Sequence, residues 1–509
     1  MQESGWTSAL AMYFSPRLIA VFLLGFSSGL PLALTGGTFQ IMQADAGVDV
    51  ATVGLFSLVG VSYALKFVWS PIIDRSLPPL GFRTFGRRRG WALACQLPLA
   101  LSILCLGLVD LATWPGLAAA AAVCIAFFSA SQDIVIDGLR IELLEKEQQG
   151  AGAAMVTYGY RIAGSLVAGA GALVIAKYFG WTAAYAVMAA CVLVGVVTIL
   201  AIREPEVTKT VTASLTTETG VLWGVVFVVV ALVVAVATYL AITRGAAYFL
   251  GVEKWQVAAA NFMATIAAAS IPLIMLKLLP AAGSRSPQSY QSFRRWLNSS
   301  VFSPFADVAT RDGWKALLAF IILYKLGDAV LGVNASYFYT KIGFDKLQIA
   351  EVTKVFGLLA TLLGTFLGGL MMIKLGVARS LIIGGVLQAA SNLLYVVQAE
   401  VGADVHFLYL TIGVENLTGA LGAVVLVGFL SAICNTAFTA TQYALFSALA
   451  ALGRTVLASP FSGLADVLGW ANYYFLSIAM AVPGLAMLFW MIKRHPKALE
   501  VARPGVTDD

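Results

Sequence analysis

Apolar residues run along this chain in long blocks with few polar interruptions. A hydrocarbon core ~30 Å thick takes about 20 apolar residues as helix, and that ruler marks out fourteen spans. Eight fall at 17–37, 51–73, 90–110, 115–138, 151–177, 181–202, 221–243 and 256–279; six follow at 314–338, 348–373, 380–398, 406–434, 440–466 and 470–492. Backbone groups in lipid must find partners within the segment, and these runs are too continuously apolar for barrel strands. The pattern predicts an all-α integral membrane protein. Ahead of the first span, Trp6, Leu10, Tyr13 and Phe14 share a helical face, which predicts an amphipathic helix over 1–16 lying along the interface. Glu3 stands where a signal peptide carries basic residues, so no cleaved leader is expected.

The positive residues are sorted by side. With the N-terminus inside, even-numbered connections collect Arg75, Arg83, Arg87, Arg88, Arg89 and most other Lys and Arg, while the opposite side receives only Lys177, Arg244, Lys254, Lys341 and Lys346. The positive-inside rule then puts both termini in the cytoplasm. A repeat is also visible. Phe179-Gly180-Trp181, with Tyr185 four residues on, opens one span, and Leu468-Gly469-Trp470, with Tyr474 four on, opens the last. Each follows a glycine- and alanine-rich span with one arginine, Arg161 or Arg454, and each ends in a basic stop. This predicts an N-terminal six-helix bundle over 17–203 and a C-terminal one over 313–494. Between them lies an inserted two-helix segment with a cytoplasmic loop, 204–312, whose Arg294, Arg295 and Trp296 are expected against the inner leaflet. Residues 495–509 form a cytoplasmic tail. Repeated bundles around a shared cavity are a layout of secondary transporters.

Composition narrows the choice. Of 509 residues, 60% are apolar and 11% charged, against roughly 45–50% and about 25% in soluble proteins. That excludes a soluble enzyme, a disordered regulator and a nucleic-acid binder, despite the net charge of +6. The five cysteines all fall in apolar runs without C-x-x-C spacing, and His406 and His495 are too far apart for a zinc motif. No phosphate-binding loop is present, so no metal, cofactor or ATP engine is expected.

Ionisable groups at mid-membrane depth cost ~2.5–3.5 kcal/mol each on insertion scales and mark function by default. Ser129, Asp133 and Asp137 are spaced i, i+4, i+8 and share a helix face, with Gln132 beside it. Asp133 and Asp137 are candidate proton carriers; pairing with Arg161 or Arg140 is the structural alternative. Lys325 and Asp328 share a face with Gly332 and Ser336, as an ion pair or as a substrate and coupling site. Glu415-Asn416 has no helix-packing purpose. Arg161 and Arg454 either pair with buried acids or hold an anionic substrate, while Lys66 and Lys354 read as snorkelling to the interface. Gly25-Phe26-Ser27-Ser28-Gly29 matches a hydrolase elbow, but inside a membrane helix it reads as packing surface.

Ser70-Pro-Ile-Ile-Asp-Arg75 followed by Gly86-Arg-Arg-Arg-Gly-Trp91 sets an acid at a helix end before a basic cluster, and Asp74, Arg75, Arg87 and Arg88 are the expected gate. The arrangement resembles the loop signature of the major facilitator superfamily, with Ser70 for its first glycine and ten residues between Arg75 and Gly86. Together with Gly25–Thr35, Ser131-Gln-Asp133, Tyr324-Lys-Leu-Gly-Asp328, Glu415-Asn-Leu417 and Thr439-Ala-Thr-Gln-Tyr-Ala-Leu445, it resembles the AmpG-type muropeptide permeases of that superfamily. The resemblance implies a monomeric multi-pass protein of the bacterial inner membrane, not an enzyme. It implies proton-driven import of N-acetylglucosaminyl-1,6-anhydro-N-acetylmuramic acid and its peptide derivatives for wall recycling, linked in some bacteria to β-lactamase induction. Asp133, Asp137, Asp328 and Glu415 are then the proton-coupling set. Gln132, Asn334, Tyr337, Asn416 and Gln442 are candidate sugar partners, with Lys325 or Arg161 for its carboxylates. A related facilitator moving acetyl-CoA or another amphiphile is the alternative.

Overall fold

A computed structural model of the chain describes residues 12–47, 58–111, 113–205, 288–345, 348–349, 351–452, 457–458, 461 and 464–495. Most of the expected interfacial helix, the spans at 221–243 and 256–279, Arg454 and the tail after His495 lie outside the described residues. The chain forms α1 (Pro16–Thr35), α2 (Gly37–Asp45), α3 (Leu58–Arg75), α4 (Arg87–Leu108), α5 (Pro115–Leu143), α6 (Gln149–Arg161) and α7 (Ala172–Ala201), with a π-helical stretch, Ile162–Gly171, joining the last two. Then come α8 (Gln288–Trp296), α9 (Ser303–Ala309), α10 (Trp314–Leu323), α11 (Leu326–Lys341), α12 (Gly357–Leu375), α13 (Val377–Val401), α14 (Val405–Ala432), α15 (Thr439–Leu452), α16 (Leu464–Leu468) and α17 (Trp470–Arg494). No strand occurs among the described residues, in which nine helices are long and apolar enough to cross a membrane. Leu101, Leu117, Val197, Leu359 and Phe489 stand more than half exposed along them. Lipid covers such a belt; water does not.

Glycine decides where the chain turns back. Gln149–Ala201 is a 53-residue apolar run, about 80 Å as helix and far too long for one crossing. It breaks at Gly180, with φ 84° and ψ 164°, a conformation open mainly to glycine. Gly469, before α17, has φ 77° and ψ 158°, so the two Gly-Trp positions of the repeat bend the backbone alike. Gly86 before α4 (94°, 177°) and Gly376 before α13 (76°, 171°) form a second matched pair.

The helices before and after the inserted stretch pack mainly within their own sets. The seam between the sets runs where α15 lies on α3 and α5, and where α6 lies on α12 and α14. Close approach inside each set needs missing side chains. A Cβ on Gly25 or Gly29 of α1 would strike the backbone of Val156 or Tyr160 in α6, and one on Gly364 of α12 would strike Leu417 of α14. The Gly25–Gly29 motif is therefore packing surface.

Two features depart from the sequence reading. The span expected at 314–338 is met by one apolar segment, Trp314–Ala335, but it carries a local irregularity at Tyr324 and Lys325, between α10 and α11, that the sequence does not announce. Trp296, expected against the leaflet, is buried with Phe293 and Leu297 in a cluster that includes Ile72, Ile73 and Leu139. A protein crevice hides the whole indole, which a lipid surface covers only in part. The stretch after it, Leu297–Phe302, packs on α3, and α9 packs on α10 and α15, so this segment bridges both helix sets.

Candidate functional site

One end of the bundle is closed by arginines. Glu204 accepts from the backbone N–H groups of Arg88 (2.8 Å) and Arg89 (3.1 Å), filling orphan donors at the start of α4 and favouring a negative charge there. This fixes Arg87 and Arg88. Arg88 lies 2.7 Å from Asp74 and 2.5 Å from Glu142, all buried. Arg87 lies 3.5 Å from the Asp74 carboxylate and also donates to the Asp74 carbonyl. The other Asp74 oxygen reaches across the seam, accepting from the Thr441 N–H at 3.0 Å and its hydroxyl at 2.8 Å. An acid of α3 thus caps α15 of the opposite set. Thr439 donates to Glu142 at 2.5 Å, and Arg75 lies over the Phe438 ring at 4.6 Å. The four residues expected at the gate meet here, joined by Glu142, Thr439 and Thr441.

Deeper in the bundle lie two polar clusters, one per helix set. Asp133 is ten residues from the end of α5 and Lys325 eleven from the start of α10, about 15 Å from the clamped end by helix rise. In the first cluster, Ser28 of α1 donates to Asp133 at 2.5 Å. Lys66 of α3 acts electrostatically on both Asp133 and Asp137, and Asp137 lies 3.5 Å from Arg140. In the second, Lys325 sits at the helix break and donates to Gln388 (2.8 Å), Asp328 (3.1 Å) and the Gly419 carbonyl (3.1 Å). All three ammonium donors are used. Asp328 occupies the first turn of α11, where the helix dipole favours an anion. Glu415 accepts from Asn416 at 3.0 Å, and Asn416 from Thr361 at 3.0 Å; Lys325 and Asp328 both act electrostatically on Glu415. Asp133, Asp137, Asp328 and Glu415 each keep some exposed surface.

The other named residues are dispersed. Gln132 is fully buried, with the Ser27 hydroxyl 3.5 Å from its amide oxygen. Asn334 is buried against Tyr473. Tyr337 is half-exposed beside Trp470, with Lys341 over its ring. Gln442 lies at the clamped end, where its amide donates to Asp307 (2.7 Å) and accepts from the Asn435 N–H (2.8 Å). Burial pushes the Asp307 carboxyl up, but bonds from Gln442 and Asn435 and the charge of Arg311 outweigh it and hold it below its ordinary value of 3.8. Arg161 is exposed and makes no ion pair among the described residues. Sequence reasoning took Lys66 for an interfacial lysine and passed over Gln388, which stands with Asn392 and Gln398 as an amide inside the apolar span of α13, a usable signal.

Comparison with known proteins adds a third line. The sequence model described as Major Facilitator Superfamily matches residues 21–302. The anhydromuropeptide permease of Escherichia coli (strain K12) is 35% identical over 481 residues, covering 94% of this chain and 80% of that protein. A transporter named AmpG 4 from Rickettsia conorii is 29% identical, covering 93% and 96%. Among solved structures, the proton:xylose symporter XylE bound to 6-bromo-6-deoxy-D-glucose aligns over 97% of this chain and 98% of its own, with a TM-score of 0.59 at 14% identity. At that identity the likeness speaks to the fold alone.

Proposed function

The chain belongs to the Major Facilitator Superfamily and, within it, to the anhydromuropeptide permeases; from that membership we propose that it imports N-acetylglucosaminyl-1,6-anhydro-N-acetylmuramic acid and its peptide derivatives, with protons, across the bacterial inner membrane. It is a transporter, not an enzyme. The observation that carries the reading is the pair of partly exposed acid-and-lysine clusters, one in each helix set, set back from a clamp whose partners sit on opposite sides of the seam. In alternating access the two sets rock about a central site. The clamp at Asp74, Arg87, Arg88 and Glu142 is the cytoplasmic gate, and it is shut in this conformation. Asp133 and Glu415 are the proton carriers, with Lys66 and Lys325 as the cations that sense their charge. Arg161, exposed and without an acid partner among the described residues, takes a substrate carboxylate, while Asn416 serves the sugar. Gln442 belongs to the gate, because its amide is occupied by Asp307 and Asn435. The working unit is a monomer.

The substrate assignment is tested by uptake of labelled anhydro-disaccharide into liposomes holding the purified protein. Uptake above empty liposomes, blocked by excess unlabelled tetrapeptide derivative and untouched by acetyl-CoA, is expected. No uptake, or block by acetyl-CoA alone, overturns it.

A further inference from the structure

Between Asp133 and the gate stands a cation held by a single acid, Asp137. Arg140 of α5 is fully buried. Among the described residues its Nε and Nη1 have no acceptor, and Nη2 has only the Asp137 carboxylate, at 3.5 Å. Its charge is met by Asp137 at 3.5 Å and by the face of Tyr443, 5.2 Å from the guanidinium carbon. Arg88 and Arg311, by contrast, each bond two or more oxygen acceptors. A guanidinium carries five donors in a planar fork suited to a carboxylate, and buried donors are as a rule satisfied.

Its position says when those donors become available. Arg140 belongs to one helix set and Tyr443, on α15, to the other, so the ring that covers the guanidinium moves away when the seam parts at the gate. The fork, engaged by Asp137 on one nitrogen only, then lines the way out. We propose that Arg140 is an exit subsite for the carboxylate of an anionic cargo, the lactyl or stem-peptide acid, engaged only in the cytoplasm-open state; this rests on the transport reading above. A ligand shifts a two-state equilibrium only through its different affinity for the two states. An acid group that finds Arg140 in the open state alone therefore favours the opening that releases it.

The test uses right-side-out and inverted membrane vesicles containing the full-length chain, with the anhydro-disaccharide acid and its lactyl carboxamide as probes. In inverted vesicles, R140Q raises KM for the acid about tenfold, the size of one lost charge-assisted contact, and leaves the carboxamide unchanged. R140K recovers part of the loss. In right-side-out vesicles KM for the acid stays as in the wild type. An equal rise for acid and carboxamide, or an equal rise at both faces, marks a structural role and overturns the proposal. If R140Q does not reach the membrane, R140K decides: a rise confined to the acid at the cytoplasmic face supports the subsite, and unchanged KM overturns it. Wild-type vesicles that carry neither probe sink the transport reading itself, and this inference with it.

Discussion

Ser28 and Lys66 give Asp133 a hydrogen-bond donor and a cation, with Asp137 as a second acid nearby. Asp133→Asn keeps the volume and an oxygen for Ser28 but cannot carry a proton. The variant is expected to reach the membrane with unchanged thermal stability, to exchange labelled for unlabelled sugar, and to lose uptake against a gradient; retained uphill uptake moves the carrier to Glu415. Gly29 makes a sharper structural prediction. A methyl there meets the Tyr160 backbone, which cannot step aside as a side chain does, so Gly29→Ala costs at least the ~1–3 kcal/mol of an overpacked core. Thermal unfolding followed by tryptophan fluorescence checks it, and an unchanged midpoint would mean that α1 and α6 are not pressed together. At this scale the sequence was legible only in part. Spacing put Asp133 and Asp137 on one helical face, but it holds no information on how α3 is rotated toward α5, so Lys66 read as a snorkelling side chain. Gln442 was beyond reach for a related reason: its partners Asp307 and Asn435 lie 135 and 7 residues away.

Among elements, the crossing of Asp74 to Thr441 joins α3 to α15 and makes the proposed gate a helix cap as well as an ion pair. Losing a cap costs about 1 kcal/mol, whereas stripping one partner from a buried charge pair costs ~3–5 kcal/mol. Asp74→Asn is therefore expected to open the gate further than Thr441→Val. Cys434 is buried near this end, so its maleimide labelling, with the other cysteines replaced, should quicken in that order. Labelling that stays slow in both variants contradicts a gate at this clamp. The neighbouring contacts of α9 behave differently with pH. The Asp307 carboxyl is held below 3.8 in the fold, so its contribution is full above that value and lost only as pH falls through the lower one. Gln442→Leu should thus lower the unfolding temperature equally at pH 6 and pH 8, and any pH dependence of transport in that window belongs to other groups. The helices themselves were legible, because hydrophobic length sets where a chain can cross a bilayer. The irregularity at Tyr324 and Lys325 was not: their side chains bond to α13 and α14, through Leu381, Gln388 and Gly419, which local sequence does not show.

At the scale of the molecule, the repeat seen in two Gly-Trp pairs extends to backbone angles, with Gly180 matching Gly469 and Gly86 matching Gly376. Symmetry of that kind lets one rocking motion close one end as it opens the other. The bridge formed by α8 and α9 has no counterpart in the hydrophobic pattern, since its anchor Trp296 reads equally well as a lipid-facing residue. In the proposed orientation the clamped end faces the cytoplasm, as arginine sorting favours; a C-terminal fluorescent reporter should glow and a C-terminal alkaline phosphatase should stay inactive, and the reverse result would invert the direction of transport. In the proposed cycle, protons and sugar move together through the paired clusters. The direct measurement is accumulation of labelled anhydro-disaccharide in proteoliposomes with and without an imposed pH gradient, acid outside. Concentration above the external level with the gradient, and mere equilibration without it, is the predicted result. Equal accumulation in the two conditions contradicts it.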